Sequence, residues 1–264
     1  MRFAIVNGLK TEPKPKLKAT CPNCGGEMIA RCGRVKVWHW AHKGNPPCDP
    51  WWENETEWHR EWKNHFPTEW QECVLINRVT GEKHIADVRA TSGLVIEFQH
   101  SFLRPEEQEA REAVYKKMVW VVDGGRLKRD FLRFFKGVKH FETSHMPGVF
   151  LSRDPEECFQ GAWTTRSVPV FFDFKGAIEQ KTDNAEKSVW CLLPGRVPGR
   201  SVVIELKQKD FVAAVHKGNL INDLKKIFEN AREYRELIIR ELKRDGKLME
   251  SRHIKWRKRR YSQF

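Results

Sequence analysis

Two short apolar runs, Ile85-Ala86-Asp87-Val88 and Leu94-Val95-Ile96-Glu97-Phe98-Gln99, constrain this 264-residue chain more than any other stretch. They flank a turn at Thr91-Ser92-Gly93, and each carries one acid in an apolar setting. Side chains alternate across a strand, so Val95, Glu97 and Gln99 share one face and Leu94, Ile96 and Phe98 the other. A carboxylate placed this way is costly to bury without a counter-charge or a metal. Asp87 supplies a second carboxylate that can stand beside Glu97. Two acids on adjacent strands, with a polar side chain two residues on, is the layout of a Mg²⁺-dependent phosphodiesterase site. There a metal with oxygen ligands turns one of its waters into the nucleophile. The plainer alternative is a pair of half-exposed strands whose acids meet solvent or a lysine.

The flanking pattern gives these strands a fold. Residues 54–63 read as a helix, with Trp58, Trp62 and Phe66 repeating at i, i+4 and i+8 as its buried stripe. His59 and Lys63 lie at i, i+4 on a neighbouring face, which either points at Asp87 and Glu97 or is a solvated polar face. Strands are predicted at about 70–77, 83–89 and 94–99, with turns at Thr80-Gly81-Glu82 and Ser92-Gly93. Arg104 to Met118 reads as a helix opened by Pro105-Glu106-Glu107, suited to the helix dipole. Val119 to Gly124 is a buried strand ending in a turn. The order from 53 to 124 is therefore α-β-β-β-α-β, an α/β (α+β) fold with a mixed sheet and helices packed against it.

Ahead of this core stands Cys21-Pro22-Asn23-Cys24-Gly25-Gly26. Such a knuckle points two thiolates at one spot, and its glycines permit the turn. Tetrahedral closure needs two more ligands, and His39, His42 and Cys48 follow. Residues 28–38 read as a hairpin turning at Cys32-Gly33-Arg34, a zinc-ribbon layout. The favoured ligands for Zn²⁺ are Cys21, Cys24, His42 and Cys48, with His39 competing for the place of Cys48. Seven cysteines, an odd number that includes this C-x-x-C, suit a metal site with buried thiols better than a disulfide framework.

A net charge of +13 points to an anionic partner, with nucleic acid foremost. Eleven tryptophans serve as core or as stacking platforms for bases. Residues 1–6 are too short for a signal-peptide core, and no run approaches the roughly 18 apolar residues of a membrane span. The expectation is a cytoplasmic protein with no membrane partner. Four regions are predicted: a zinc-ribbon-like module over 1–50, the core over 51–137, a strand-rich segment over 138–207, and a helical basic region over 208–264. The strand-rich segment either extends the core sheet or covers it. Residues 127–135 read as a basic amphipathic helix, and Leu220 to Arg244 as one long helix. Nine Lys or Arg against two acids between Lys243 and Arg260, around Trp256, suit sequence-independent phosphate contact or a solvated tail. One rival site exists in Glu205-Leu206-Lys207, with Asp173 as its only plausible partner acid. A single acid does not make a metal site, so Asp87 and Glu97 rank first.

Taken together, the segment 21–124 resembles the CoiA-like competence protein family, a branch of the PD-(D/E)xK nuclease superfamily. The matching features are Cys21-Pro22-x-Cys24, His39-Trp40-Ala41-His42, the helix with His59 and Lys63, and Ala86-Asp87-Val88. After them come Ile96-Glu97-Phe98-Gln99-His100-Ser101, Arg111, Tyr115, and Val119-Trp120-Val121-Val122-Asp123-Gly124. The resemblance implies a restriction-endonuclease-like core and a DNA substrate, single-stranded, duplex or branched. It also implies a setting in DNA uptake, recombination, or phage and mobile-element processes, with recombination proteins as partners. It assigns Asp87 and Glu97 to a catalytic Mg²⁺ or Mn²⁺. Gln99 stands where the wider superfamily has lysine; its amide can orient water but carries no charge. Lys63 or His59 can supply that charge from the preceding helix, and His59 can move protons. Glu57 is a further candidate metal ligand. The functional expectation is a metal-dependent deoxyribonuclease; the alternative is a DNA-binding recombination accessory protein with an unused site.

Overall fold

The computed structural model describes residues 1–44, 48–51, 53–77, 80–174 and 187–244. The N-terminal module is an antiparallel sheet of β1 (Ala4–Val6), β2 (Leu9–Thr11), β3 (Lys18–Thr20), β4 (Glu27–Arg31) and β5 (His39–His42), in the order β2-β1-β3-β4-β5. The β1–β2 hairpin turns on Asn7 and Gly8 at φ 50° and 81°. A two-residue turn with both centres left-handed matches the twist of the strands it joins. Its core consists of Ala4, Ala19, Cys21, Met28 and Trp40. So few apolar side chains do not hold a module of this size without a staple.

The next elements are α1 (Glu57–Lys63), β6 (Gln71–Ile76), β7 (Lys83–Arg89), β8 (Val95–Gln99), α2 (Pro105–Tyr115) and β9 (Met118–Asp123). This is the α-β-β-β-α-β order that the sequence predicts. Two helix bounds differ. Thr56 caps α1, so residues 54–55 remain outside the helix. Lys116 at φ 53° ends α2, and the apolar run from Met118 enters the sheet directly.

After β9 come α3 (Lys128–Gly137), β10 (Glu142–Thr143), β11 (Val149–Ser152), α4 (Gly161–Thr164), β12 (Val170–Asp173), β13 (Ser188–Leu192), β14 (Ser201–Lys207), α5 (Gln208–Lys217) and α6 (Leu220–Arg244). The strand-rich segment extends the sheet. Among the described residues the sheet has nine strands, ordered β10-β11-β14-β13-β12-β9-β8-β7-β6. Its centre, β12-β9-β8, is parallel and the remaining neighbours are antiparallel. Parallel strands buried on both faces read as continuous apolar runs, as Met118–Asp123 does.

One face of the sheet, with Ile96, Phe98, Phe171 and Ile204, is covered by Trp58 and Trp62 of α1 together with α5 and α6. The opposite face, with Val95, Trp120, Val170 and Trp190, is covered by Tyr115 of α2, Phe134 of α3 and Trp163. The long helix α6 has the predicted bounds, with Leu224 buried and Ile227 and Tyr234 packed on the same cluster. The basic stretch beyond Arg244, with Trp256, lies outside the described residues. No helix among the described residues is long and apolar enough to cross a membrane.

Candidate functional site

The N-terminal module brings Cys21, Cys24, His42 and Cys48 together, with one ligand atom from each inside a 4.8 Å circle. Cys21 Sγ and Cys48 Sγ are 3.8 Å apart, and Cys24 Sγ is 3.3 Å from His42 Nε2. Two thiolates on a tetrahedral zinc with Zn–S of about 2.3 Å stand about 3.8 Å apart, so the donor set fits a metal such as zinc. The Asn23 N–H donates to Cys21 Sγ and the Gly26 N–H to Cys24 Sγ, both at 3.4 Å, as a knuckle that stabilises thiolates requires. Without a cation, burial pushes the Cys21 thiol up to about 12.

His39 is a correction. Alternation along β5 puts His42 on the side of the buried Trp40, whereas His39 takes the opposite side and its Nδ1 pairs with the Val37 carbonyl at 2.8 Å.

The second cluster lies where β7 and β8 part. The ladder between them holds Val88 opposite Ile96 and Arg89 opposite Val95. One step further, side chains replace it. The Asp87 N–H donates to Glu97 Oε1 at 3.2 Å, and the Phe98 N–H donates to Asp87 Oδ2 at 3.0 Å. Two carboxylates thereby converge inside the protein, beside a cavity of about 50 Å³.

Lys63, from the last turn of α1, places Nζ 2.9 Å from Asp87 Oδ1, 3.2 Å from Glu55 Oε2 and 3.4 Å from Glu72 Oε1. Burial opposes its charge, but these three carboxylates prevail and hold its pKa well above the ordinary value. Asp87 follows the same logic. Burial pushes it up, and the Lys63 ammonium beside it overrides burial and holds it below the usual range. Glu97 goes the other way: burial and then the Asp87 charge push it up to about 8, against the pull of Arg111. Arg111 of α2 clamps Glu97 with Nη1 at 2.8 Å from Oε2, and its Nη2 donates to the Trp51 carbonyl and to Glu107 Oε1, each at 2.6 Å.

His59 completes the wall of the cavity. It fills the third helical position, where a capping box ordinarily places Glu or Gln. Its Nδ1 accepts from the Thr56 N–H at 3.3 Å and from the Thr56 hydroxyl at 2.8 Å. The neutral ring therefore carries its proton on Nε2, which faces Glu53 Oε2 at 3.7 Å.

Asp87, Glu97, Lys63 and His59 thus meet, so the helix face that the sequence left open between the acids and solvent points at the acids. Gln99 stands one step behind. It is buried on the Glu97 side of β8, and its amide donates to Glu53 Oε2 at 2.8 Å and to the Ser101 carbonyl at 3.2 Å. It fixes Glu53, which in turn lines the cavity. Glu57 is a correction: as the first residue of α1 it is exposed, and the acids that line the cavity besides Asp87 and Glu97 are Glu53, Glu55, Glu72 and Asp49. The legible signal for the first two was the Thr56 cap, which leaves the preceding acids extended. Nothing local marks Glu72, whose left-handed φ of 47° and acceptance of the Arg2 and Phe3 N–H groups are set by tertiary contact.

The rival pair is not a site. Phe172, Trp190 and Glu205 are in register across β12, β13 and β14, so Glu205 shares their face and Asp173, one residue on, takes the other. Asp173 Oδ2 instead accepts both the Trp58 and Trp62 indole N–H groups, each at 2.9 Å, and fastens α1 to the sheet.

The two clusters are joined by a short strap. Asp49, next to the cluster ligand Cys48, accepts the Ile85 N–H at 2.6 Å and the Trp51 N–H at 3.0 Å. Trp51 stacks on His84 at 3.5 Å between ring centres and gives its carbonyl to Arg111.

A family model, the N-terminal domain of competence protein CoiA, matches residues 10–50, the stretch that holds all four cluster ligands. Competence protein CoiA of Bacillus subtilis is 26% identical over 145 residues, 51% of this chain. Over these stretches the chain is similar to competence protein CoiA. The match spans 39% of the length of that curated relative. No solved structure matches. Among the described residues, the Cys3His cluster and the acidic cluster each bring several cation-binding side chains together.

Proposed function

We propose that this chain is a metal-dependent nuclease of the PD-(D/E)xK type, acting on DNA in uptake, recombination or mobile-element processes. The observation that carries the reading is the convergence of Asp87 and Glu97 at the parting of β7 and β8, within the α-β-β-β-α-β order. Six carboxylates, Asp49, Glu53, Glu55, Glu72, Asp87 and Glu97, line the cavity, against the Lys63 and Arg111 side chains as cations. The set fits a hard divalent cation. It holds more acid than its own cations neutralise, burial and Asp87 push Glu97 up to about 8, and among the described residues the buried Glu55 Oε1 has no hydrogen-bond partner. Asp87 and Glu97 would hold Mg²⁺ or Mn²⁺, which supplies an activated water and neutralises charge on a scissile phosphate.

The chain's own residues do the rest. Arg111 holds the Glu97 carboxylate in place. Lys63 keeps a permanent positive charge beside Asp87 and supplies the electrostatic part that Gln99 lacks. His59 presents Nε2–H toward the cavity and can donate to a developing oxyanion or leaving oxygen. Gln99 sets the position of Glu53. In the N-terminal module, Cys21, Cys24, His42 and Cys48 would hold Zn²⁺, and the relative's name supports a role in competence.

The test is cleavage of labelled single-stranded, duplex and branched DNA with Mg²⁺, Mn²⁺ or EDTA, comparing wild type with Glu97→Ala. Metal-dependent cutting that falls by about 100-fold or more in the variant is expected. Intact DNA with every substrate removes the nuclease reading.

A second reading, a DNA-binding accessory protein with an unused site, draws on the small cavity and on Lys63, which already occupies the carboxylates. Wild-type binding without cleavage, unchanged in Asp87→Ala, is its signature.

A further inference from the structure

On the far side of residues 99–101 from the acidic cavity lies a second pocket, of about 300 Å³. It opens at the carboxyl ends of the parallel strands β8 and β9, where open α/β sheets take their ligands. Its volume is at the lower end for small-ligand sites, about 300–1,000 Å³. That volume suits a single nucleotide unit better than a duplex.

Gln108 of α2 lines this pocket. Its side chain is completely buried, and among the described residues neither its amide oxygen nor its amide nitrogen has a hydrogen-bond partner. A buried carboxamide without a protein partner is unfavourable and marks a place where a ligand can close the hydrogen bonds. A glutamine amide offers one donor and one acceptor side by side, the pairing that matches a base edge.

The other walls suit the same ligand. Phe102 is 73% exposed, an aromatic face on which a base can stack. Arg126 and Arg129 stand exposed among the lining residues and match a phosphate. His100 is locked by its Nδ1, 2.9 Å from Asp123 Oδ2, while Asp123 Oδ1 accepts the Gly125 N–H at 3.0 Å. The ring of His100 is 6.0 Å from that of His59, which lines the acidic cavity, so the two pockets are neighbours.

We infer that this pocket binds one unpaired nucleotide of a DNA strand, with the base on Phe102 and Gln108 and a phosphate at Arg126 and Arg129. Paired bases in a duplex cannot reach such a pocket unless they leave the stack. The substrate class is therefore single-stranded or locally unpaired DNA. The inference rests on the nuclease reading only for the neighbouring phosphate, which that reading places at Asp87 and Glu97.

The test is photocrosslinking of a single-stranded oligodeoxynucleotide carrying 5-iododeoxyuridine, in the absence of Mg²⁺ and Mn²⁺, with the crosslinked peptide mapped by mass spectrometry. A fully paired duplex of the same sequence is the control. Affinities of the Phe102→Ala, Gln108→Leu and Arg129→Ala variants are measured in parallel, with thermal melting as the check on folding. A crosslink at Phe102 with the single strand and not with the duplex is expected. So is a roughly tenfold weaker single-strand affinity in Phe102→Ala, an exposed position whose change leaves the fold intact. A crosslink confined to other peptides, or unchanged affinity in Phe102→Ala, overturns the inference. Cleavage by the same preparation with Mn²⁺ is scored separately. Cutting without the Phe102 crosslink removes the pocket and leaves the nuclease reading standing. The crosslink without cutting supports the pocket and removes the nuclease reading alone.

Discussion

The Cys3His cluster and the acidic cluster both gather groups suited to a cation, but they are built in opposite ways. The first comes from 28 consecutive positions of a small module, and its apolar core is five side chains. The second draws on the lead to α1, on α1 itself, on three strands and on α2, and it is buried against the largest apolar surfaces of the protein. The first has the donor set for a metal and little apolar packing besides, whereas the second is held by packing and carries an excess of acid. A local cluster is fragile toward loss of its ion. A convergent one is fragile toward loss of any one charge.

Stripping the N-terminal metal, or Cys21→Ser, tests this difference most severely. Metal-binding energy is folding energy in so small a module, so residues 21–48 should lose amide protection entirely while β8 and β9 retain theirs. Hydrogen exchange with mass spectrometry reads both regions at once, and equal loss in the sheet would break the comparison. Next in size is Lys63→Met, which leaves Asp87, Glu55 and Glu72 without their shared cation. The expected destabilisation is about 3–5 kcal/mol in urea unfolding; a change below about 1 kcal/mol would show that the acids repack or protonate freely.

A smaller effect is expected from pH. Glu97 has a folded pKa of about 8 against an ordinary 4.5, so it is held protonated. Its contribution is fully present below about 4.5 and is lost as pH rises through about 8. With zinc present and Mg²⁺ and Mn²⁺ absent, the melting temperature should fall across that window. Glu97→Gln should flatten the fall, and an unaltered slope would assign the decline to another group. The smallest effect belongs to His39→Ala, which should leave one zinc per chain in elemental analysis, while His42→Ala should reduce it. A loss in both would return His39 to the ligand set.

The difference in construction also explains what could be read in advance. Cys21-Pro22-Asn23-Cys24 declares its geometry in four letters, and His42 and Cys48 follow within reach. His39 was ambiguous only until strand alternation was known. Asp87 and Glu97 were legible because an acid in an apolar strand is anomalous, and Lys63 because helical spacing places it beside His59. Glu53 and Glu55 were marked only by the Thr56 cap and Glu72 by nothing local, since each looks like an ordinary surface acid until the chain folds back on itself. Asp173 was misleading for the same reason: its partners, Trp58 and Trp62, lie 115 and 111 residues away. That β12 lies parallel beside β9 is a long-range pairing that no local pattern encodes.

That indole-to-Asp173 fastening also bears on how the protein is made. The helix carrying His59 and Lys63 leaves the ribosome more than a hundred residues before the carboxylate that ties it down. A nascent chain that has reached β9 has all the acids of the cavity but no anchor for the helix that balances them. The charged centre therefore waits for a residue in the second half of the message, although its own side chains are all translated in the first half.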